Sequence, residues 1–367
     1  MSKFKLFNNS EISSVKFSRK NDAITYAVVA VLFVLFFILD SAGLLSRSTS
    51  GLLVPVCVYV VCAISLNLVV GFSGELSLGH AGFLSIGAFS GVVFYHLFGF
   101  IGVPAIRLAL CMICAGVTSG LFGFLIGMPV LRLSGDYLAI VTLAFGEIIK
   151  NLMNCVYLGF DNTGWHFAFG TSLSMEGGTV VLNGPMGVTG NQKASTFLAG
   201  FILILFALTV VVNLIRSKTG RGIMAIRDNR IAAESLGYNA TRYKMTAFVT
   251  SAVLTGMAGA LYVMNYASVA PVKFGFNTSI LILVFVVMGG LGNLRGGIIA
   301  AIILTVLPEK LRVLGDYRML IYAVLLIAMM LLTQSSKGKA LSAKIRAPFA
   351  KFAASLKKGK NGKEAQA

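Results

Sequence analysis

GLLVPVCVYVVCAISLNLVV, residues 51–70, decides the fold: twenty consecutive residues carry no charged side chain. As a helix rising 1.5 Å per residue this run is about 30 Å long, the thickness of the hydrocarbon core of a bilayer. Similar runs recur at approximately 23–45, 81–98, 106–128, 137–158, 196–214, 244–266 and 318–333. The first is read as a span and not a cleaved signal peptide, because its apolar core from Ala23 to Leu39 is long and no A-x-A site follows. The whole 367-residue chain agrees, with 57% hydrophobic and 12% charged residues. Soluble domains carry about 25% charged residues, so half the usual charge cannot coat a soluble globule, and disorder is excluded as well.

The stretch from Phe276 to Leu307 is too long for one ordinary span and short for two full ones. Charge decides its parity. Lys+Arg number 31 against 13 Asp+Glu, a formal net charge of +18. Five basic residues precede the first span, seven lie between Arg216 and Lys244, and nine follow Gln334. The positive-inside rule puts these three segments on the cytoplasmic side, so 276–307 crosses twice as two short helices meeting at Gly289-Gly290-Leu291-Gly292. The expected fold is therefore all-α, a polytopic integral membrane protein of about ten transmembrane helices with Gly-rich breaks. Its parts are a cytoplasmic N-terminal segment (1–22), a transmembrane domain (23–333) and a basic cytoplasmic tail (334–367). Within the domain lie an external loop at 159–195 and a cytoplasmic loop at 215–244. The tail is expected to form a surface helix around Ala340 to Leu356 on anionic lipid. Nucleic acid is not an expected partner, because the basic residues sit between apolar runs.

No G-x-x-x-x-G-K-[ST] nucleotide loop occurs, so any ATP must be used by another subunit. His80, His96 and His166 lack metal-ligand spacing, and Cys111 with Cys114 has no second pair. No metal or catalytic site is expected. The segment Gly71 to Gly82, GFSGELSLGHAG, has two readings: a helix break lining a cavity, or a tight cytoplasmic turn. A Gly-x-x-Gly-x-Leu-x-x-Gly pattern at Gly71 returns at Gly289, a hint of internal repetition. In the fifth span Glu147, Lys150, Asn151 and Asn154 share one helical face. They belong either to a watery path or, for Glu147 and Lys150, to a self-neutralising pair near the membrane surface.

The loop from Arg216 to Lys244 reads RSKTGRGIMAIRDNRIAAESLGYNATRYK. Ile223, Ile226, Ile231 and Leu236 have helical spacing on a polar background, and Gly237 supplies a C-terminal cap, so a short amphipathic helix from Ile223 to Leu236 is expected. Its apolar edge wants either a protein partner or a lipid surface.

This loop resembles the coupling loop of branched-chain amino acid ABC transporter permeases. Three further stretches agree: LNLVVGFSGELSLGHAGF from Leu66, LRLSGDYLAIVTLAFGEII from Leu131 and VMGGLGNLRGG from Val287. The second is similar to the LivM-type subunit more than to its LivH-type sister. The resemblance covers about 51–333 and implies an importer in which a second, LivH-type permease completes the pathway. It further implies two ATPase subunits that use ATP and Mg, a periplasmic binding protein that delivers substrate, no cofactor on this chain, and the bacterial inner membrane as location. Ala232, Ala233 and Gly237 match the Ala, Ala and Gly of the family's EAA signature, while Ile231 stands where its Glu would be. Arg227, Asp228 and Glu234 are carried with them as coupling residues. A second departure is external: Thr163-Gly164 is followed by Trp165, and Gly184-Pro185-Met186-Gly187-Val188 is a partial substitute for the family's T-G-G-x-x-G stretch.

The implied activity is alternating-access import of Leu, Ile or Val. Asn67, Ser73, Gly74, Ser77, Glu147 and Asn151 are the expected pathway residues, because a zwitterion with an apolar side chain asks for amides, hydroxyls and dipoles. Urea, amides or aromatic acids as substrates, or an ATP-independent secondary transporter, are the alternatives left open.

Overall fold

Small side chains let the most buried helices approach closely, and they set the architecture. In the computed structural model, residues 19–41, 47–133, 135–161, 164–170, 178–190, 193–311, 317 and 320–327 are described. The tail helix expected around Ala340 to Leu356, and the outer parts of the crossing expected at 318–333, lie outside them. The helices are α1 (Arg19–Ser41), α2 (Arg47–Asn67), α3 (His80–Leu97), α4 (Pro104–Val130), α5 (Asp136–Cys155), α6 (Phe197–Arg216), α7 (Lys218–Asp228), α8 (Arg230–Ser235), α9 (Ala240–Val263), α10 (Phe276–Gly289) and α11 (Leu294–Lys310).

Among the described residues seven segments are long and apolar enough to cross a membrane: Ser50–Phe72, His80–Leu97, Pro104–Val130, Asp136–Cys155, Phe197–Arg216, Ala240–Val263 and Pro271–Gly289. A shorter apolar helix, Thr25–Phe36 within α1, lies outside these seven, as do α11 and the helical residues 320–327; a total of about ten is consistent with them. The chain divides into two units, residues 1–305 and 306–367.

In the first unit α9 is the axis, packed by α2, α3 and α4. Without a hydrophobic drive between helices in lipid, close backbone packing is the main source of attraction. A Cβ placed on Gly87 of α3 would lie 2.1 Å from the carbonyl oxygen of Gly256 in α9. Ser119 of α4 donates to the carbonyls of Ala252 (2.9 Å) and Phe83 (3.3 Å), tying the three helices together. The outward faces differ: Ile113, Val117, Leu121, Phe124 and Leu125 of α4, and Leu198, Ile202 and Phe206 of α6, are exposed large apolar residues at helical spacing, as a lipid-facing surface requires.

The stretch expected as an external polar loop at 159–195 is not a plain loop. It folds as a three-stranded antiparallel sheet of order β2-β1-β3, with β1 (Val156–Asp161), β2 (Gly164–Phe169) and β3 (Thr179–Asn183). β1 follows α5 without an intervening residue. Val156, Leu158 and Phe160 pair with Phe169, Phe167 and Trp165, which gives the sheet one apolar face. These β-branched and aromatic residues favour strands, and that local signal outweighs the polar composition of the stretch as a whole.

Candidate functional site

At the end of the bundle that carries α7 and α8, α2 does not turn directly into α3. It winds on as a π-helical turn, Leu68–Phe72, in which Ser73 N–H donates to Leu68 C=O (3.1 Å). Gly74 then reverses the chain at φ 76°. Ser73–Gly79 is non-helical. Gly79 lies so close to α5 that a Cβ there would be 2.0 Å from the carbonyl oxygen of Thr142. Thr142 is six residues, about 9 Å, into α5, so α3 begins at membrane depth. The segment is thus a re-entrant break, not a tight turn.

Backbone groups freed at that depth need partners. Leu78 N–H donates to Thr142 Oγ1 (3.0 Å) and Ala81 N–H to Ser279 Oγ of α10 (3.1 Å). His80 opens α3 against two hydroxyls, with Nε2 3.0 Å from Ser65 Oγ and 2.8 Å from Thr255 Oγ1. Asn67 Oδ1 accepts from Gly292 N–H (2.9 Å), which brings the Gly-rich turn between α10 and α11 against the break. Two buried groups of the break are left over: Asn67 Nδ2 and Ser77 Oγ have no hydrogen-bond partner among the described residues. Ser73 is buried beside them.

The loop that follows α6 forms two helices where a single one is expected over Ile223–Leu236. Asn229 breaks it with an extended backbone (φ −153°, ψ 102°), and its side chain caps α8 by accepting from Ala232 N–H (3.1 Å). Asn competes with the helical backbone in this way, which is why it prefers caps to helix interiors. The apolar edge divides with the helix. Ile223 and Ile226 are buried, whereas Ile231 and Leu236 are both 79% exposed. Ala233 is buried with Ile226, Ala240, Tyr238 and Tyr243, so α7, α8 and the start of α9 form one small core. Ala232 is exposed, and Glu234 is exposed and paired with Arg230 (2.9 Å). Gly237 sits at φ 86°, its N–H bonded to Glu234 C=O while Tyr238 N–H bonds to Ala233 C=O. This is a Schellman cap, in agreement with the sequence reading.

Arg227 joins the loop to the break. Its Nη1 donates to Gly71 C=O (3.0 Å), its Nε and Nη2 donate to Asp228 Oδ1 (3.1 and 2.9 Å), and its Cγ would lie 2.6 Å from a Cβ on Gly74. The Arg227 side chain is only 14% exposed, that of Asp228 66%. A second tie is an ion pair between Lys244 of α9 and Glu75 in the break, both largely buried. Burial makes breaking such a pair costly, because the remaining charge is uncompensated. Sequence reading noted Glu75 and Lys244 separately and missed their partnership. Glu75 stands out as a lone charge between two apolar runs, but Lys244 is one of the seven basic residues of the 216–244 loop, and nothing in the sequence singles it out as the partner.

Glu147 and Asn151 stand apart from this group. Glu147 pairs with Lys150, and its Oε1 accepts from Phe276 N–H (3.0 Å), capping α10 from α5. Asn151 is exposed on the same side of α5. No hydrogen bond or ion pair among the described residues joins Glu147 and Asn151 to Asn67, Ser73, Gly74 or Ser77. Among the described residues no three His, Cys, Asp or Glu side chains gather as a metal would require.

Residues 48–333 match the family described as branched-chain amino acid transport system / permease component. The chain is 36% identical over 301 residues to the high-affinity branched-chain amino acid transport system permease protein LivM of Salmonella typhimurium, covering 78% of this chain and 69% of that protein. The same identity holds over 300 residues with the LivM of Escherichia coli, again 78% and 69%. A fructose import permease protein, FruG of Bifidobacterium longum, is 24% identical over 290 residues, 76% of this chain and 80% of that protein. No solved structure matches.

Proposed function

The chain belongs to the branched-chain amino acid permease family of ABC transporters, and from that premise we propose that it is a membrane-spanning subunit of an importer for leucine, isoleucine or valine. A LivH-type permease completes the pathway, two ATPase subunits dock beneath it, and a periplasmic protein delivers substrate. ATP and Mg belong to the ATPases, and this chain holds no cofactor. It resides in the inner membrane with both termini cytoplasmic, the orientation favoured by its basic segments. The substrate assignment is supported by two relatives at 36% identity, and the fructose permease at 24% is too distant to redirect it.

The observation that carries the mechanism is the hydrogen bond from Arg227 to Gly71 C=O. Ile231 and Leu236 offer an exposed apolar face to an ATPase, and the core around Ala233 makes α7 and α8 move as one body. When ATP closes the ATPase pair, that body shifts, and Arg227 passes the displacement to Gly71 and Gly74. The break changes course and α3, which starts at its far end, moves relative to α5. This is the bistable element that alternating access requires.

Substrate passes along the break and the outward face of α5. Asn67 Nδ2 and Ser77 Oγ, buried without partners, provide free polar groups at the break. Glu147, Lys150 and Asn151 are partly or wholly exposed within a span, and polar groups in that setting face protein or water in preference to lipid. That face of α5 therefore looks toward the second permease. The test is uptake of labelled leucine by vesicles containing this chain and the LivH-type permease, with and without the ATPase subunits and binding protein. Uptake is expected only with ATP and both partners. Uptake without the ATPases would make the chain a secondary transporter.

A further inference from the structure

A groove of about 530 Å³ lies between α4 and α9 at the end of the bundle that carries α7 and α8, lined by Phe124, Asn239, Thr241, Arg242, Met245, Thr246 and Val249. Its chemistry changes along its length. Asn239, Thr241 and Arg242 are at the start of α9; Val249 lies seven residues, about 10 Å, further along the helix. Phe124 is six residues, about 9 Å, inside the last residue of α4. The polar end is thus level with the helix ends and the apolar end with the bilayer interior.

Arg242 is the feature that selects an occupant. It is exposed, and its guanidinium makes no hydrogen bond or ion pair among the described residues. Three other cations of the 216–244 loop are charge-matched: Arg227 by Asp228, Arg230 by Glu234 and Lys244 by Glu75. A free guanidinium at the headgroup level of a membrane helix is complementary to a phosphate. Beyond the groove, Leu121 and Val117 continue the exposed apolar wall from Phe124 along α4, the setting an acyl chain would follow.

We infer that this groove holds an anionic phospholipid of the adjacent leaflet, its phosphate on Arg242 and one acyl chain against Phe124, Met245 and Val249. The inference needs only that the chain is embedded in a membrane, and it is independent of the transported substrate. Because the groove lies along the base of α9, a lipid there braces the helix that carries Lys244, the partner of Glu75.

The test is native mass spectrometry of the full-length protein in mild detergent, titrated with phosphatidylglycerol or phosphatidylcholine of identical acyl chains. Wild type is expected to hold phosphatidylglycerol more tightly. Arg242→Gln should weaken phosphatidylglycerol about fivefold, the worth of one basic residue at an anionic surface, and weaken phosphatidylcholine less, because its choline ammonium already offsets the phosphate charge. Thr246→Phe, which fills the groove and keeps the charge, should weaken both lipids. Equal affinity for the two lipids in wild type, or no change in either variant, overturns the inference. Competition by glycerol 3-phosphate as effective as by the whole lipid also overturns it, by making the site one for free phosphate.

Discussion

Replacing Gly74 by Ala tests the link between the loop and the break. Two costs follow from the geometry. At φ 76° an L-residue is strained by about 1–2 kcal/mol, and that cost falls on folding of the break. The added Cβ also meets Arg227 Cγ at 2.6 Å. Cγ is near the root of the side chain, and the guanidinium beyond it is fixed by Gly71 and Asp228, so Arg227 must leave its position. Losing a hydrogen bond from a charged donor costs about 1.5–3 kcal/mol, which corresponds to roughly a 10- to 150-fold change in the equilibrium the bond biases. In vesicles with the LivH-type permease, ATPase and binding-protein partners, Gly74→Ala should lower substrate-stimulated ATPase activity at least about tenfold, with membrane insertion retained. Arg227→Ala removes the clashing atom, so the double variant should be no worse than Arg227→Ala apart from the backbone strain. Fully additive losses in the double variant, or wild-type coupling in Gly74→Ala, would refute the reasoning.

Glu75→Ala strands the Lys244 ammonium in a largely buried place and should cost about 3–5 kcal/mol, read as a fall in thermal stability in detergent. Glu75→Lys combined with Lys244→Glu should recover part of that loss. Gly237→Val, at φ 86° with open space around the position, leaves the bundle intact but loosens the cap of α8; substrate-stimulated ATPase activity should be abolished while insertion persists. Glu234→Lys, which turns the Arg230 pair into a repulsion on the exposed face of α8, should do the same. Thr255→Val removes one of the two hydroxyls at His80 Nε2 and should destabilise the protein by about 1–3 kcal/mol, measured by thermal unfolding.

What was legible in the sequence depended on local composition. Uncharged runs of span length, the basic segments between them, and the Gly237 cap each act within a few residues, and α2, α9 and the α8 terminus follow from them. The break at Asn229 was less legible because Asn fits a helix edge or a cap, and only the packing of Ala233 against Ala240 settles which it adopts. The sheet at 156–183 had a strand signal in its Val, Phe and Trp residues, hidden by the glycines and polar residues around it. Arg227 and Gly71 are 156 residues apart, and nothing in either neighbourhood announces the other. Glu147 was marked by its place in a span, yet its role as the cap of α10 depends on where Phe276 lies in three dimensions.

The central claim is that Arg227 transmits movement of α7 and α8 to the break. Its most direct test is the amount of leucine imported per ATP hydrolysed, measured in vesicles for wild type and Arg227→Ala. The account predicts that the variant still assembles with the ATPases and hydrolyses ATP at the unstimulated rate, while leucine imported per ATP falls at least about tenfold. Unchanged import per ATP, with uptake and hydrolysis either intact or falling together, would contradict it.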